Sequence, residues 1–328
     1  VTTAVVEGLG TALPARRVTN DDLARVLDTS DEWIRTRTGI VARRMVDEGT
    51  VTGDLAVEAG ERALKSAGGG GADAVVIATT TPDQLLPNTA AGVADRLGLG
   101  HVAALDLNTA CAGFPYGLAT GAGLLAIGAA SRVLVIGAET LTRFLDPADR
   151  STAVLFGDGA GAFVLGRGEA DAPGALGPFE LGSDGSASEI LTLTAGGSRR
   201  PPHSTDLTDD EKYLKMDGRE VYRHAVRRMA ESLTTLAERA GMTVGDFDAV
   251  YAHQANSRII EAVADRLELP RERCPVTIGE HANTSTASIP LALASAPPNP
   301  GDRVALVAFG GGLAWGSALV RWPDLEPG

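Results

Sequence analysis

A cysteine stands at a strand-to-helix junction in Asp106-Leu-Asn-Thr-Ala-Cys111-Ala-Gly-Phe114. Residues 102–107 form an apolar run of strand length, and residues 112–130 stay small and apolar for long enough to be a buried helix. A thiol at such a junction lies beside unpaired backbone N–H groups and the positive end of a helix dipole, which favour the nucleophilic thiolate. The same residue could equally be a small buried core side chain. Two more polar groups fall at comparable places. His253, in Tyr251-Ala-His253-Gln-Ala-Asn256, follows a strand over residues 248–251 and precedes a helix over residues 257–267, and Asn283 lies in the loop His281-Ala-Asn283. Residues 305–309 end in Gly310-Gly-Gly312, where backbone N–H groups can approach a ligand closely. In a doubly wound sheet such strand ends converge at one crevice.

Two clusters could bind rather than react. Thr29-Ser-Asp-Glu32 has capping-box spacing, so a short helix is expected over residues 31–37 with Thr29 as its cap. Trp33 and Arg37 then share a face, where a ring beside a guanidinium can hold a base and a phosphate or simply pack. Arg219, Arg223 and Arg227 fall at helical spacing on a predicted helix over residues 217–240, whose buried stripe is Val221, Ala225, Met229, Leu233, Leu236 and Ala240. The arginine stripe is either a solvated face or a docking patch for an acidic partner. Gly8-Leu-Gly10 is a truncated dinucleotide fingerprint and is expected to be a plain turn. Residues 156–162, glycine-rich and lacking the Lys-Ser/Thr of a phosphate loop, are expected to be a tightly packed turn.

The elements that must position these groups repeat. Asp73-Ala-Val75 recurs as Asp248-Ala-Val250, Val93-Ala-Asp-Arg-Leu97 as Val263-Ala-Asp-Arg-Leu267, and Ser131-Arg-Val133 is echoed by Asp302-Arg-Val304, each some 170 to 175 residues later. A duplicated α/β unit is expected, with halves 1–170 and 171–328 and strands alternating with helices. An offset of about 170 from Cys111 lands in the loop that carries Asn283. Polar residues 182–217 read as a surface excursion between the halves.

Composition narrows the function classes. The net charge of −13 argues against nucleic acid or an anionic membrane as the main partner. Cys111 and Cys274 are the two cysteines, too few for a disulfide framework, and a reducing cytoplasm is expected. No signal peptide is read at the N-terminus, and the most apolar long segment, residues 117–130, is short of a membrane span. No His/Cys cluster has metal-ligand spacing.

The sequence resembles β-ketoacyl-acyl carrier protein synthase III, one of the thiolase-fold condensing enzymes, over nearly its whole length. The resemblance rests on Asp28-Thr-Ser-Asp-Glu-Trp-Ile34 with Arg37-Thr-Gly-Ile40, Ala110-Cys-Ala-Gly-Phe114, Phe156-Gly-Asp-Gly-Ala-Gly161, His253-Gln-Ala-Asn256, Asn283-Thr-Ser285, and Phe309-Gly-Gly-Gly312 with Trp315-Gly-Ser-Ala318. It implies an α/β thiolase-like fold, two fused halves in five α/β/α/β/α layers, and a homodimer. It further implies Cys111 as nucleophile with His253 and Asn283 as partners, and Trp33, Arg37 and Arg150 as a clamp on coenzyme A. Arg223 and Arg258 match positions that receive acyl carrier protein. Arg219 stands where a smaller polar residue is usual, and Ala282 replaces a usual glycine.

The implied chemistry suits the residue types. Cys111 would take an acyl group from a short acyl-CoA, which is a substrate rather than a resident cofactor. Backbone N–H groups of Cys111 and Gly311 would bind the oxyanion. Malonyl-acyl carrier protein would then lose CO2, with His253 and Asn283 stabilising the enolate, so no metal or strong base is called for. Alternatives are priming of a polyketide pathway, acyl transfer to a carrier or hydroxyl without condensation, and a noncatalytic acyl-CoA-binding scaffold.

Overall fold

The structure, a computed structural model, describes residues 2–326 and 328. Nine strands form the main sheet: β1 (Thr2–Ala12), β2 (Ala74–Ala78), β3 (Ala103–Leu107), β4 (Val133–Glu139), β5 (Gly159–Glu169), β6 (Ala175–Ser183), β7 (Ala249–Ala252), β8 (Arg303–Gly310) and β9 (Ala314–Arg321). Val1, the expected start of the first strand, lies outside the described residues. The spatial order is β7-β8-β9-β6-β1-β5-β4-β2-β3. β3, β2 and β4 run parallel, as do β7 and β8, while β5 and β9 each return antiparallel along their neighbours. Two such runs meet where Ala4 faces Leu176 and Val5 faces Ala175.

Seven helices of eight residues or more accompany these strands: α1 (Asp31–Thr38), α2 (Thr52–Ser66), α3 (Thr89–Arg96), α4 (Gly113–Ala126), α5 (Gly218–Arg239), α6 (Ser257–Arg266) and α7 (Ser288–Ser295). α4 touches β1, β2 and β4 of one run and β6, β8 and β9 of the other, and α7 likewise touches both β5 and β7. These two helices therefore lie between the two runs. They are small and apolar on every side, as a helix covered all round must be. α2 and α3 cover the outer face of one run, and α5 with α6 covers that of the other. The result is the expected five-layered α/β/α/β/α order. A central core, in which Phe114 meets Phe163 edge-on with centroids 5.2 Å apart, is flanked by two outer cores.

Several local expectations shift. Gly8 and Gly10 lie inside β1 rather than in a turn, because α2 passes so close that a Cβ on Gly10 would stand 2.2 Å from the Ala63 nitrogen. The glycine-rich stretch after Phe156 is already strand from Gly159, paired on both sides: Gly161 faces Gly137 of β4 and Thr11 of β1. α1 is capped by Ser30, whose Oγ accepts from the Trp33 N–H at 3.1 Å, so the cap sits one residue later than expected. The Thr29 hydroxyl is left buried without a partner. The pseudo-equivalence also moves. The turn Ala110–Ala112 before α4 is matched by the turn Ser285–Ala287 before α7, and each opens on a positive φ, 47° at Ala110 and 50° at Ser285. Thr286, rather than position 281, is thus the counterpart of Cys111. No helix among the described residues is long and apolar enough to cross a membrane.

Candidate active site

Cys111, His253 and Asn283 line one cavity of about 130 Å³. All three are buried. Apart from Asn256 and Tyr222 its other walls are apolar, contributed among others by Val221, Ala225 and Met229 of α5, by Phe309 at the end of β8, and by Leu191 and Met216. The last two belong to residues 182–217, expected to be a surface excursion. Their two-stranded ribbon, Leu191–Thr192 with Lys215–Met216, instead closes one side of the site. Tyr222, 40% exposed, marks the side where the cavity meets the surface.

Cys111 sits in the middle of the turn that leads into α4. Gly310 packs against it so tightly that a Cβ there would stand 2.5 Å from the Cys111 nitrogen, so the glycine run brings its backbone directly onto the Cys111 N–H. The expectation of a favoured thiolate does not hold for the free protein. Burial pushes the thiol up to about 12, with the Ser285 hydroxyl opposing and the Glu139 carboxylate adding to the rise. Desolvation of the buried sulfur is the largest cause of that rise.

His253 follows β7, its N–H still bonded to the Val307 carbonyl at 2.8 Å. Its Nδ1 lies 2.6 Å from the Ser288 Oγ, and that oxygen also accepts from the Gln254 N–H at 3.3 Å. A hydroxyl can take either role toward a ring nitrogen; when Ser288 donates to Nδ1, the ring proton lies on Nε2, facing away from Ser288. Burial lowers the His253 pKa to about 4, so the ring is neutral at neutral pH and offers an N–H donor. The rest of the motif braces the local backbone, with Asn256 also lining the cavity. The Gln254 side chain bonds Ala252, Pro275 and Thr277, and Asn256 caps α6 through the Arg258 N–H.

Asn283 is pinned by its backbone to the segment before β5: its N–H donates to the Leu155 carbonyl at 2.9 Å, and its carbonyl accepts from Gly157 at 3.0 Å. Its Oδ1 accepts from the Ser285 N–H at 2.8 Å, which leaves the Nδ2 hydrogens free to donate. Ala282, preceding it, is held at φ 57° and ψ −159°.

Sequence reasoning missed Glu139, the last residue of β4 and fully buried. The side chains of Thr80, Thr81 and Ser285 donate to its carboxylate at 2.9, 2.8 and 3.1 Å. Burial raises its pKa to about 7 against those hydrogen bonds. An acidic residue closing the apolar run from Val133, with Thr79-Thr-Thr81 ending the neighbouring strand, was the available signal.

Trp33, Arg37 and Arg150 come together. The guanidinium carbons of Arg37 and Arg150 stand 4.7 and 4.8 Å from the Trp33 ring centroid. A base entering between Trp33 and Arg150 would need roughly 7 Å, two van der Waals separations, so that stack must part to admit one. Arg150 is meanwhile held by the Asp28 carbonyl at 2.6 Å. Arg219, Arg223 and Arg227 are exposed along α5, with Arg223 bonded to Glu220. Arg258 is exposed and reaches the Thr36 carbonyl of α1 at 3.1 Å.

Comparison with known proteins agrees with this geometry. The family pattern for 3-oxoacyl-[acyl-carrier-protein] synthase III matches residues 105–185, and that for the C-terminal part of the same enzymes matches residues 237–322. A β-ketoacyl-[acyl-carrier-protein] synthase III of Streptomyces coelicolor is 54% identical over 99% of this chain and 98% of its own. The crystal structure of 3-oxoacyl-(acyl carrier protein) synthase III from Pseudomonas aeruginosa superposes with a TM-score of 0.93 at 45% identity, covering 99% of this chain and all of that one. The priming β-ketosynthase of the R1128 polyketide pathway gives 0.89 at 36% identity, covering 98% of this chain and 97% of its own. The chain has the thiolase-like fold and belongs to the β-ketoacyl-acyl carrier protein synthase III family of condensing enzymes.

Proposed function

We propose that the chain acylates Cys111 from a short acyl-CoA and condenses that acyl group with malonyl-acyl carrier protein, releasing CoA and CO2. The observation that carries this is the meeting of a thiol, a neutral imidazole and a carboxamide in one cavity. Thiolate attack on the thioester forms the S–C bond of an acyl-enzyme, and the N–H groups of Cys111 and Gly311 receive the oxyanion. Malonyl decarboxylation then leaves an enolate whose oxygen accepts from His253 Nε2–H and Asn283 Nδ2–H. A neutral imidazole suits this work, since decarboxylation itself generates the carbanion and a donor is all that is needed. The cavity's apolar walls withhold water from the enolate.

Trp33, Arg37 and Arg150 would hold the adenine and phosphates of CoA, supported by their existing stack. Arg219, Arg223 and Arg258, with Arg227, would receive the acidic carrier, supported by their exposure in a chain of net charge −13. A homodimer is supported by the outer position of β3 in the sheet and by Leu85 and Leu86, 75% and 87% exposed. Each half, 1–170 and 171–328, would contribute to the centre, the first Cys111 and the second His253 and Asn283, in a cytoplasmic enzyme. The likeness to a priming ketosynthase favours polyketide initiation as a second setting for the same chemistry.

The test is incubation of the protein with acyl-CoA and malonyl-acyl carrier protein. CO2 release with a β-ketoacyl product, both lost in Cys111→Ala, is the expected result. An acylated acceptor without CO2 would make it a transferase, and no covalent adduct on Cys111 would make it a binding scaffold.

A further inference from the structure

We infer that Glu139 is the proton acceptor and reservoir for Cys111, reached through the hydroxyl of Ser285. The inference rests on the proposed acylation of Cys111 and supplies what that chemistry leaves open, namely where the thiol proton goes. The Ser285 Oγ is 3.1 Å from Glu139 Oε1, and the turn that carries Ser285 packs directly on the turn that carries Cys111. Both Glu139 and Ser285 are buried, at 0% and 1% exposure.

The groups that bond the carboxylate come from two segments. Thr79, Thr80 and Thr81 follow β2 and bond mainly Oε2, while Thr80 N–H, Ser285 and Thr286 approach Oε1. Thr81 is itself held by Thr52 and by the Thr140 N–H. These are neutral hydroxyls and amides. Cys111 is the titratable group that acts with it across the site, and among the described residues no cation is ion-paired to Glu139. A buried carboxylate without a counter-ion is costly unless a proton can reach it, and this one has a single hydroxyl between it and the nucleophile.

The proton follows the chemistry in both directions. During loading, the Cys111 S–H bond breaks as its proton passes to Ser285 Oγ and the Ser285 proton passes to Glu139. The sulfur bonds the acyl carbon, the acyl–CoA bond breaks, and the CoA thiolate takes its proton from water. During condensation, the malonyl C–C bond breaks with loss of CO2, the enolate carbon bonds the acyl carbon, and the Cys111–acyl bond breaks. The freed thiolate recovers its proton from Glu139 through Ser285. Net uptake is one proton per CO2 released. A carboxyl held up to about 7 can both accept and return a proton near neutral pH.

Glu139→Gln and Ser285→Ala test this by stopped-flow loading with acyl-CoA across pH. Ser285→Ala leaves Asn283 oriented, because that bond uses the Ser285 backbone N–H. Wild type is expected to load faster as pH rises and to level off above about 7, whereas both variants load about 10²-fold slower near neutrality and keep rising about tenfold per pH unit. KM for acyl-CoA stays unchanged, and only the variants lose the levelling above about 7, which a merely structural defect would not produce. If Glu139→Gln does not fold, Ser285→Ala decides alone. Loading of either folded variant at wild-type rate, with the levelling retained, overturns the relay. Failure of wild type itself to load overturns the proposed function instead.

Discussion

Burial sets two opposed charges on the stability of this protein, and pH should separate them. In the unfolded chain His253 takes up a proton as pH falls through its ordinary 6.5, but in the folded chain it resists until about 4. Between those values the unfolded state alone gains the proton, so stability is full above 6.5 and is lost as pH falls toward 4. At about 1.4 kcal/mol per pH unit the whole loss is roughly 3 kcal/mol. Glu139 runs the other way. Its folded value near 7 lies above the ordinary 4.5, so its contribution is full below 4.5 and is lost as pH rises through 7, again by roughly 3 kcal/mol. The two terms nearly cancel in wild type, and their difference from a variant exposes each. Urea unfolding of wild type and His253→Gln at matched pH values is the assay. The free-energy gap between them should shift in favour of the variant by roughly 3 kcal/mol as pH drops from about 7.5 to about 4. For Glu139→Gln the shift should favour the variant as pH rises. A His253→Gln gap that stays level within about 0.5 kcal/mol over that range would show that the folded ring titrates as the unfolded one does, and the burial argument would be wrong.

Three further outcomes are expected. Ser288→Ala removes the hydroxyl that fixes the His253 tautomer, a bond worth about 1 kcal/mol, and should slow CO2 release from acyl-enzyme about fivefold without slowing loading; equal loss in both half-reactions would refute the tautomer assignment. Ala282→Gly should raise unfolding free energy by up to about 1 kcal/mol, because relief of about 1–3 kcal/mol of backbone strain outweighs one buried methyl and a freer unfolded chain; a net loss by urea unfolding would show the methyl's packing to dominate. Charge reversal at Arg223 and Arg227 should raise KM for malonyl-acyl carrier protein several-fold, more so at low salt, while acyl-CoA loading is unchanged; an equal effect on loading would place the stripe elsewhere in the mechanism.

Chemistry carried by residue type was legible in the sequence, and chemistry created by burial was not. Cys111 and His253 stand out as reactive types at the ends of apolar runs and Trp33 with Arg37 by helical spacing, whereas Asn283 was singled out by its loop and the family resemblance. Gly8 and Gly10 were ambiguous, since a glycine needed for a turn looks the same as one needed where a helix crosses a strand. Leu191 and Met216 sit in a polar stretch whose role depends on which distant helix it lies against. Glu139 is the sharpest case. As a letter after Val133-Leu-Val-Ile-Gly-Ala it reads as the polar end of a strand, and only the turn at Ser285, 146 residues away, closes over it. Burial likewise accounts for the raised pKa of Cys111, against the hydrogen bond that Ser285 contributes. A dipole is local and can be read from a junction, but the desolvation that opposes it is imposed by residues from the far half of the chain. With its thiol held up to about 12, Cys111 would have to shed its proton as it reacts, and this is the step that the Glu139 proposal addresses.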